Sequence, residues 1–139
     1  MPRSSAVPRT LKALRDEGLS PWVVESYNAF SGKRNDMYGF ADIIAIDSDL
    51  TLGVQVCGQD FSSHVTKLTV ERAAEVMAWL ECPSRKVLLV GWRKLKAKRG
   101  GKAMVFKPRI MEFRVDGMAL SYMEFKNGES IREVLAAID

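Results

Sequence analysis

Residues 39–58, GFADIIAIDSDLTLGVQVCG, constrain the fold more than any other stretch of this chain. Two runs rich in β-branched residues, roughly 40–47 and 52–57, read as strands joined through the polar link DSDLT. A link this short makes them antiparallel neighbours. Asp42 stands beside Ile43, Ile44 and Ile46, where a carboxylate is costly unless it is paired, hydrogen-bonded or bound to metal. Successive side chains alternate faces, so Gln55 and Cys57 share one face of the second strand. Simple register sets Asp42 across from them.

The flanking segments supply the other layers. Pro8 and RTLKALRDEG predict a helix that starts at the proline, carries Leu11 and Leu14, and stops at Gly18. SPWVVESYNAF reads as one strand and SGKRNDMYG as a polar connection. Residues 62–81 turn helical, with Val65, Leu68, Val76, Trp79 and Leu80 on a common face and Ser62 or Ser63 as N-cap. Pro83 ends that helix. RKVLLVGW is a continuous apolar run, typical of a buried strand that returns parallel to its neighbour after a helical crossover. RKLKAKRGGKA reads as a basic loop, MVFKPRIMEFRVDGMALSYMEF as edge strands around Asp116-Gly117, and NGESIREVLAAID as a closing amphipathic helix. Strands with helices on both sides imply an α/β sandwich around a mixed sheet, and 139 residues suit a single domain, 1–139.

Composition narrows the setting. No apolar run approaches the roughly 18 residues that span a bilayer, and MPRSSAVPRT lacks a signal-peptide core. Two cysteines, Cys57 and Cys82, make no CxxC pair, which suits a reducing cytoplasm and argues against a structural zinc. The expectation is a cytoplasmic protein without a membrane partner. The net charge of +4 conceals an asymmetry. From Cys82 to Met111 there are ten Lys/Arg and no acids, while the remaining eleven face all seventeen acids. Such a block suggests a polyanion-facing edge, most simply nucleic acid. Arg93, Lys94, Lys96, Lys98, Arg99, Lys102 and Lys107, with Arg109 beyond them, are the candidate phosphate contacts. Trp92 at the loop entrance reads either as a base-stacking ring or as a core or rim aromatic.

Two readings of the hairpin residues stand at this point. Asp42, Gln55 and Glu25, with a backbone carbonyl, would form an oxygen-rich site suited to Mg2+ and to activation of water against a phosphodiester. Alternatively, Asp42 caps a turn or pairs with Arg34, Gln55 is a satisfied core amide, and Cys57 is buried for packing. Lys33, Arg34 and Asp36 either touch phosphate or order their loop. His64, the sole histidine, has no partner spaced for a triad and reads as solvent-facing; nothing visible activates Cys57 as a nucleophile.

The order of elements, with GFADIIAI followed by LGVQVC and a long helix, resembles the PD-(D/E)XK nuclease superfamily, most closely its small Holliday-junction-resolvase-like and phage-type members. The resemblance covers roughly residues 8–92. Asp42 matches the motif's first acid, with Ala41 where the motif's name has Pro. Gln55-Val56-Cys57 occupies the triplet, and Cys57 departs from its lysine, since a neutral thiol supplies no positive charge to the transition state. The resemblance implies a restriction-endonuclease-like three-layer α/β/α sandwich around a mixed central sheet. It implies Mg2+ (or Mn2+) held by Asp42, Gln55, the Val56 carbonyl and Glu25, with Lys67, then Arg72, replacing the motif lysine. It also implies structured or branched DNA as partner, bound through Arg34 and the basic block, and a two-fold homodimer. An inactive nuclease-fold binding or assembly module is the alternative, and a protein-interaction domain with an acidic partner is a third reading.

Overall fold

The computed structural model of the protein describes residues 3–125 together with 131, 133 and 134. The first helix, α1 (Arg3–Asp16), begins five residues before Pro8 rather than at it. Ala6, Thr10 and Leu14, one turn apart, are fully buried along one face. Burial of Ala6 thus holds the turn ahead of the proline, outweighing the hydrogen bond that Pro8 cannot donate. Gly18, at a φ of 84°, ends the helix, and Leu19 N–H closes back on the Leu14 carbonyl at 3.1 Å.

The segment expected as one strand divides into β1 (Ser20–Val23) and β2 (Ser26–Asn28). The break has a local cause. The N–H groups of Val24 and Glu25 both turn to the Asp42 carbonyl, at 2.9 and 3.3 Å, and the chain leaves the sheet. β2 instead pairs with β3 (Lys33–Asn35), which lies inside the segment expected as a loop. The hairpin itself is antiparallel as expected: β4 (Ile43–Ile46) pairs with β5 (Thr51–Cys57), in register Ile43 to Val54. Asp47 Oδ1 accepts from the N–H groups of Asp49 and Leu50 at 2.7 and 2.8 Å, which shapes the turn.

The helix expected over 62–81 is broken into α2 (Phe61–Thr66), a π turn (Lys67–Glu71) and α3 (Ala73–Trp79), and its N-cap position is Asp60 rather than a serine. The apolar spacing explains the break. Leu68 and Val76, both fully buried, are about 2.2 straight α turns apart, so on a straight helix they would share a face but point roughly 80° apart. One wide turn, closed by Arg72 N–H on the Lys67 carbonyl at 2.7 Å, brings them back into line.

β5 runs parallel to β6 (Arg85–Lys96), the crossover that the apolar run predicts. β6 continues through Lys96 and pairs from Val87 to Lys96 with β7 (Met104–Asp116), so the first four residues of the expected basic loop, 93–96, belong to a two-stranded ribbon. β8 (Ala119–Phe125) follows the turn at Gly117. The six strands run β1-β4-β5-β6-β7-β8, mixed through the single parallel pair β5–β6. The molecule is therefore α/β.

Buried residues divide between the two faces. One core joins α1 to Ile43, Val54, Val56, Leu88, Val90, Trp92 and Ile110. The other packs Phe61, Leu68 and Val76 against Cys57, Val87, Leu89 and Phe113. Most of the expected C-terminal helix lies outside the described residues; Ile131 and Val134 are helical and buried on the α1 side. Among the described residues no helix is long and apolar enough to cross a membrane.

Candidate functional site

Asp42 lies just before β4, its N–H bonded to the Val54 carbonyl at 2.9 Å, and its side chain meets that of Gln55; both residues are fully buried. Gln55 Nε2 donates to Asp42 Oδ2, and Val56 N–H donates to the same oxygen at 2.8 Å. A strand residue turns its N–H and C=O to the same edge, so the Val56 carbonyl also faces the Asp42 side of β5. Gln55 Oε1 is buried and has no hydrogen-bond partner among the described residues. Asp42 is therefore no surface turn cap, and Gln55 is not the satisfied core amide of the alternative reading. The side chain of Arg34 lies outside the described residues.

Glu25 sits at the break between β1 and β2 rather than on a strand, and the break turns it toward the hairpin. Its carboxylate, that of Asp42 and that of Asp36 each place an oxygen within 4.8 Å of the others. Asp36 reaches the cluster through a tight loop. Met37 and Ala41 exchange backbone hydrogen bonds at 2.8 and 2.9 Å, and Tyr38 and Gly39 take positive φ between them. The loop thus folds Asp36 back beside Asp42. Asp36 is not among the metal ligands expected from the sequence, because a polar turn carries no periodicity that would aim a side chain inward.

Lys67, the first residue of the π turn, donates to Asp36 Oδ2. The structure therefore brings Lys67 to the carboxylate cluster through Asp36. Arg72 lies elsewhere: its guanidinium covers Gly39, where a Cβ would come within 2.6 Å of Nε, and it pairs with Glu75 at 3.3 Å. The Lys67 ammonium meets this group of three carboxylates through Asp36. Carboxylate oxygens at this spacing are hard donors that suit a divalent cation. The orphaned Gln55 oxygen and the hard donor set fit Mg2+ or Mn2+.

The basic residues split by register. Cys57, Gly91 and Arg109 lie in one row across β5, β6 and β7, followed by the pair Arg93 and Lys107. These cations share the sheet face of Gln55. Lys94 and Lys96 take the opposite face, where Lys94 and Arg9 approach the Phe106 ring. Lys98, Arg99 and Lys102 occupy the turn between the strands. Arg109 stacks on Phe61 at 4.0 Å and is clamped by Glu124 through bonds of 2.5 and 3.1 Å. The Glu124 hydrogen bond raises its pKa above the usual arginine value, with the Glu124 and Cys57 charges adding to the rise.

Of the two readings of Trp92 the structure bears out the core aromatic, and the reading of His64 is corrected. Trp92 is buried on the α1 side, where its indole N–H donates to Thr10 Oγ1 at 2.8 Å, so it is a core ring and no base-stacking platform. His64 is not solvent-facing: its side chain is 15% exposed, and Nδ1 lies 3.0 Å from the Asp60 carbonyl. Compared with protein-family models and with curated proteins, the chain matches none.

Proposed function

We propose that this protein is a divalent-metal-dependent nuclease of restriction-endonuclease-like architecture, acting on DNA. The observation that carries the reading is the convergence of Glu25, Asp36 and Asp42 beside the unpartnered oxygen of buried Gln55. Asp42, Glu25, Gln55 Oε1 and the Val56 carbonyl would hold Mg2+ or Mn2+, with Asp36 as a further carboxylate. When bound, the ion supplies Lewis acidity at a phosphodiester oxygen and a water acidified enough to attack.

The chain's own groups prepare that chemistry. Val56 N–H fixes the Asp42 carboxylate, so its orientation is set before any ligand arrives. The Lys67 ammonium, tethered to Asp36, places a positive charge at the cluster's edge, where charge develops on the phosphorus oxygens. Arg93 and Lys107 extend the same sheet face toward the ribbon and would hold flanking phosphates. Junction-like or otherwise branched DNA would suit a two-fold homodimer presenting two such faces.

A second reading, an inactive nuclease fold that binds DNA, is favoured by Cys57: a buried thiol stands at the lysine position of the resembled motif. Incubating the protein with junction, flap, single-stranded and duplex DNA in Mg2+ or Mn2+ decides between them. Cleavage that EDTA abolishes supports the enzyme. Salt-sensitive binding with no cleavage of any substrate supports the binding module, and no DNA binding overturns both.

A further inference from the structure

We infer that Cys57, Asp60 and His64 form a second metal site, one for a borderline-soft divalent cation of the zinc class. Ligand atoms of the three lie within 4.8 Å of one another. Tetrahedral zinc, with bonds of about 2.0–2.3 Å, sets its ligands roughly 3.5 Å apart. His64 Nδ1 and Asp60 Oδ2 stand at 3.4 Å, and on binding the ion Nδ1 would give up the proton it donates to the Asp60 carbonyl. The Asp60 side chain, 64% exposed, has room to turn toward the sulfur.

The chain's architecture builds this cluster. Cys57 ends β5, the chain turns through Gly58 and Gln59, and Asp60 and His64 lie one helical turn apart at the start of α2. A thiolate, an imidazole and a carboxylate are the donors that zinc prefers over Mg2+. Their charge when metallated, −2 from sulfur and carboxylate, matches the cation, while nearby Arg109 is neutralised by Glu124. Three protein ligands leave one position for water or a phosphate oxygen. A cavity of about 150 Å³ lies beside the cluster, lined by Gly58 and Gln59, which join Cys57 to Asp60, and by Phe61 and Gly91 among others. Gly91 keeps the thiol clear, since a Cβ there would stand 3.1 Å from Cys57 Sγ.

The single-thiolate arrangement is an open site, unlike the closed cysteine framework of a structural zinc. It is also separate from the carboxylate cluster, which offers only oxygen. Cys57 lies two residues beyond Gln55 on the same face, about 7 Å away.

Cobalt(II) titration of the full chain tests the site, because cobalt bound to a thiolate gives a near-ultraviolet charge-transfer band. One equivalent should produce the band, and Zn2+ should bleach it stoichiometrically. Cys57→Ser should abolish it, and His64→Ala should weaken Co2+ binding by at least about 100-fold. Asp60→Asn, on an exposed side chain, should weaken it with the fold intact by circular dichroism. Cys82→Ser and Asp42→Asn should both retain it, so failure of the carboxylate site leaves this result standing. No band in the wild type, or a band that survives Cys57→Ser, overturns the proposal.

Discussion

Gln55 donates to Asp42 from one end of its amide and leaves the other end, Oε1, buried with no partner among the described residues. The asymmetry matters energetically, because a buried unpaired polar group costs about 1–3 kcal/mol. Such groups are few in folded chains, and a bound ion or water is one of the causes that account for them.

This arrangement separates two substitutions at position 42 when metal is chelated. Asp42→Asn keeps an acceptor for Val56 N–H, pairs its own amide with a flipped Gln55, and removes one of three clustered negative charges. In EDTA it should melt at or above the wild-type temperature. Asp42→Ala strips the acceptor from Val56 N–H and Gln55 Nε2 and should lose about 1–3 kcal/mol for each group left unpaired. Thermal melts of the three proteins check the order, and equal melting of the Asn and Ala variants would deny that Asp42 is held as described.

Gly91 gives a prediction whose sign opposes intrinsic propensity. Alanine in a strand is ordinarily more favourable than glycine. Here its Cβ would lie 2.7 Å from Phe61 Cδ2 as well as close to Cys57 Sγ. Overpacking of that kind costs about 1–3 kcal/mol. Gly91→Ala should therefore lower the urea midpoint, and a stabilised variant would show that α2 is not seated where Phe61 places it.

The ribbon's two faces should contribute unequally to DNA binding. Removing one phosphate contact lowers the slope of log affinity against log salt by about 0.9. Arg93→Ala with Lys107→Ala, both on the Gln55 face, should reduce it by about 2, whereas Lys94→Ala with Lys96→Ala should change it less. Trp92→Phe should lower stability without altering the slope. Fluorescence anisotropy across a salt series measures all three.

Much of this arrangement was legible in the residues alone. Alternation fixed the β4–β5 pairing and set Asp42 opposite Gln55, because a buried face tolerates only one register. The parallel return of β6 followed from a continuous apolar run behind a helix. Other features depended on contacts that local pattern does not encode. KLKAK lacks strand-forming residues, yet Lys94 and Lys96 are strand residues because Phe106 and Met104 pair with them. The π turn answers to where Leu68 and Val76 meet the sheet. Asp36 was hidden in a polar turn, and only the Met37–Ala41 closure reveals that it points inward.

Manganese(II) binding, followed by electron paramagnetic resonance as loss of the free-ion signal, tests the carboxylate centre most directly. The wild-type chain should bind one Mn2+ that Mg2+ displaces, Asp42→Asn should lose that binding, and Cys57→Ser should retain it. A wild-type protein that leaves the free-ion signal unchanged, or an Asp42→Asn variant that binds Mn2+ equally well, would contradict the assignment of Glu25, Asp36, Asp42 and Gln55 as a metal centre.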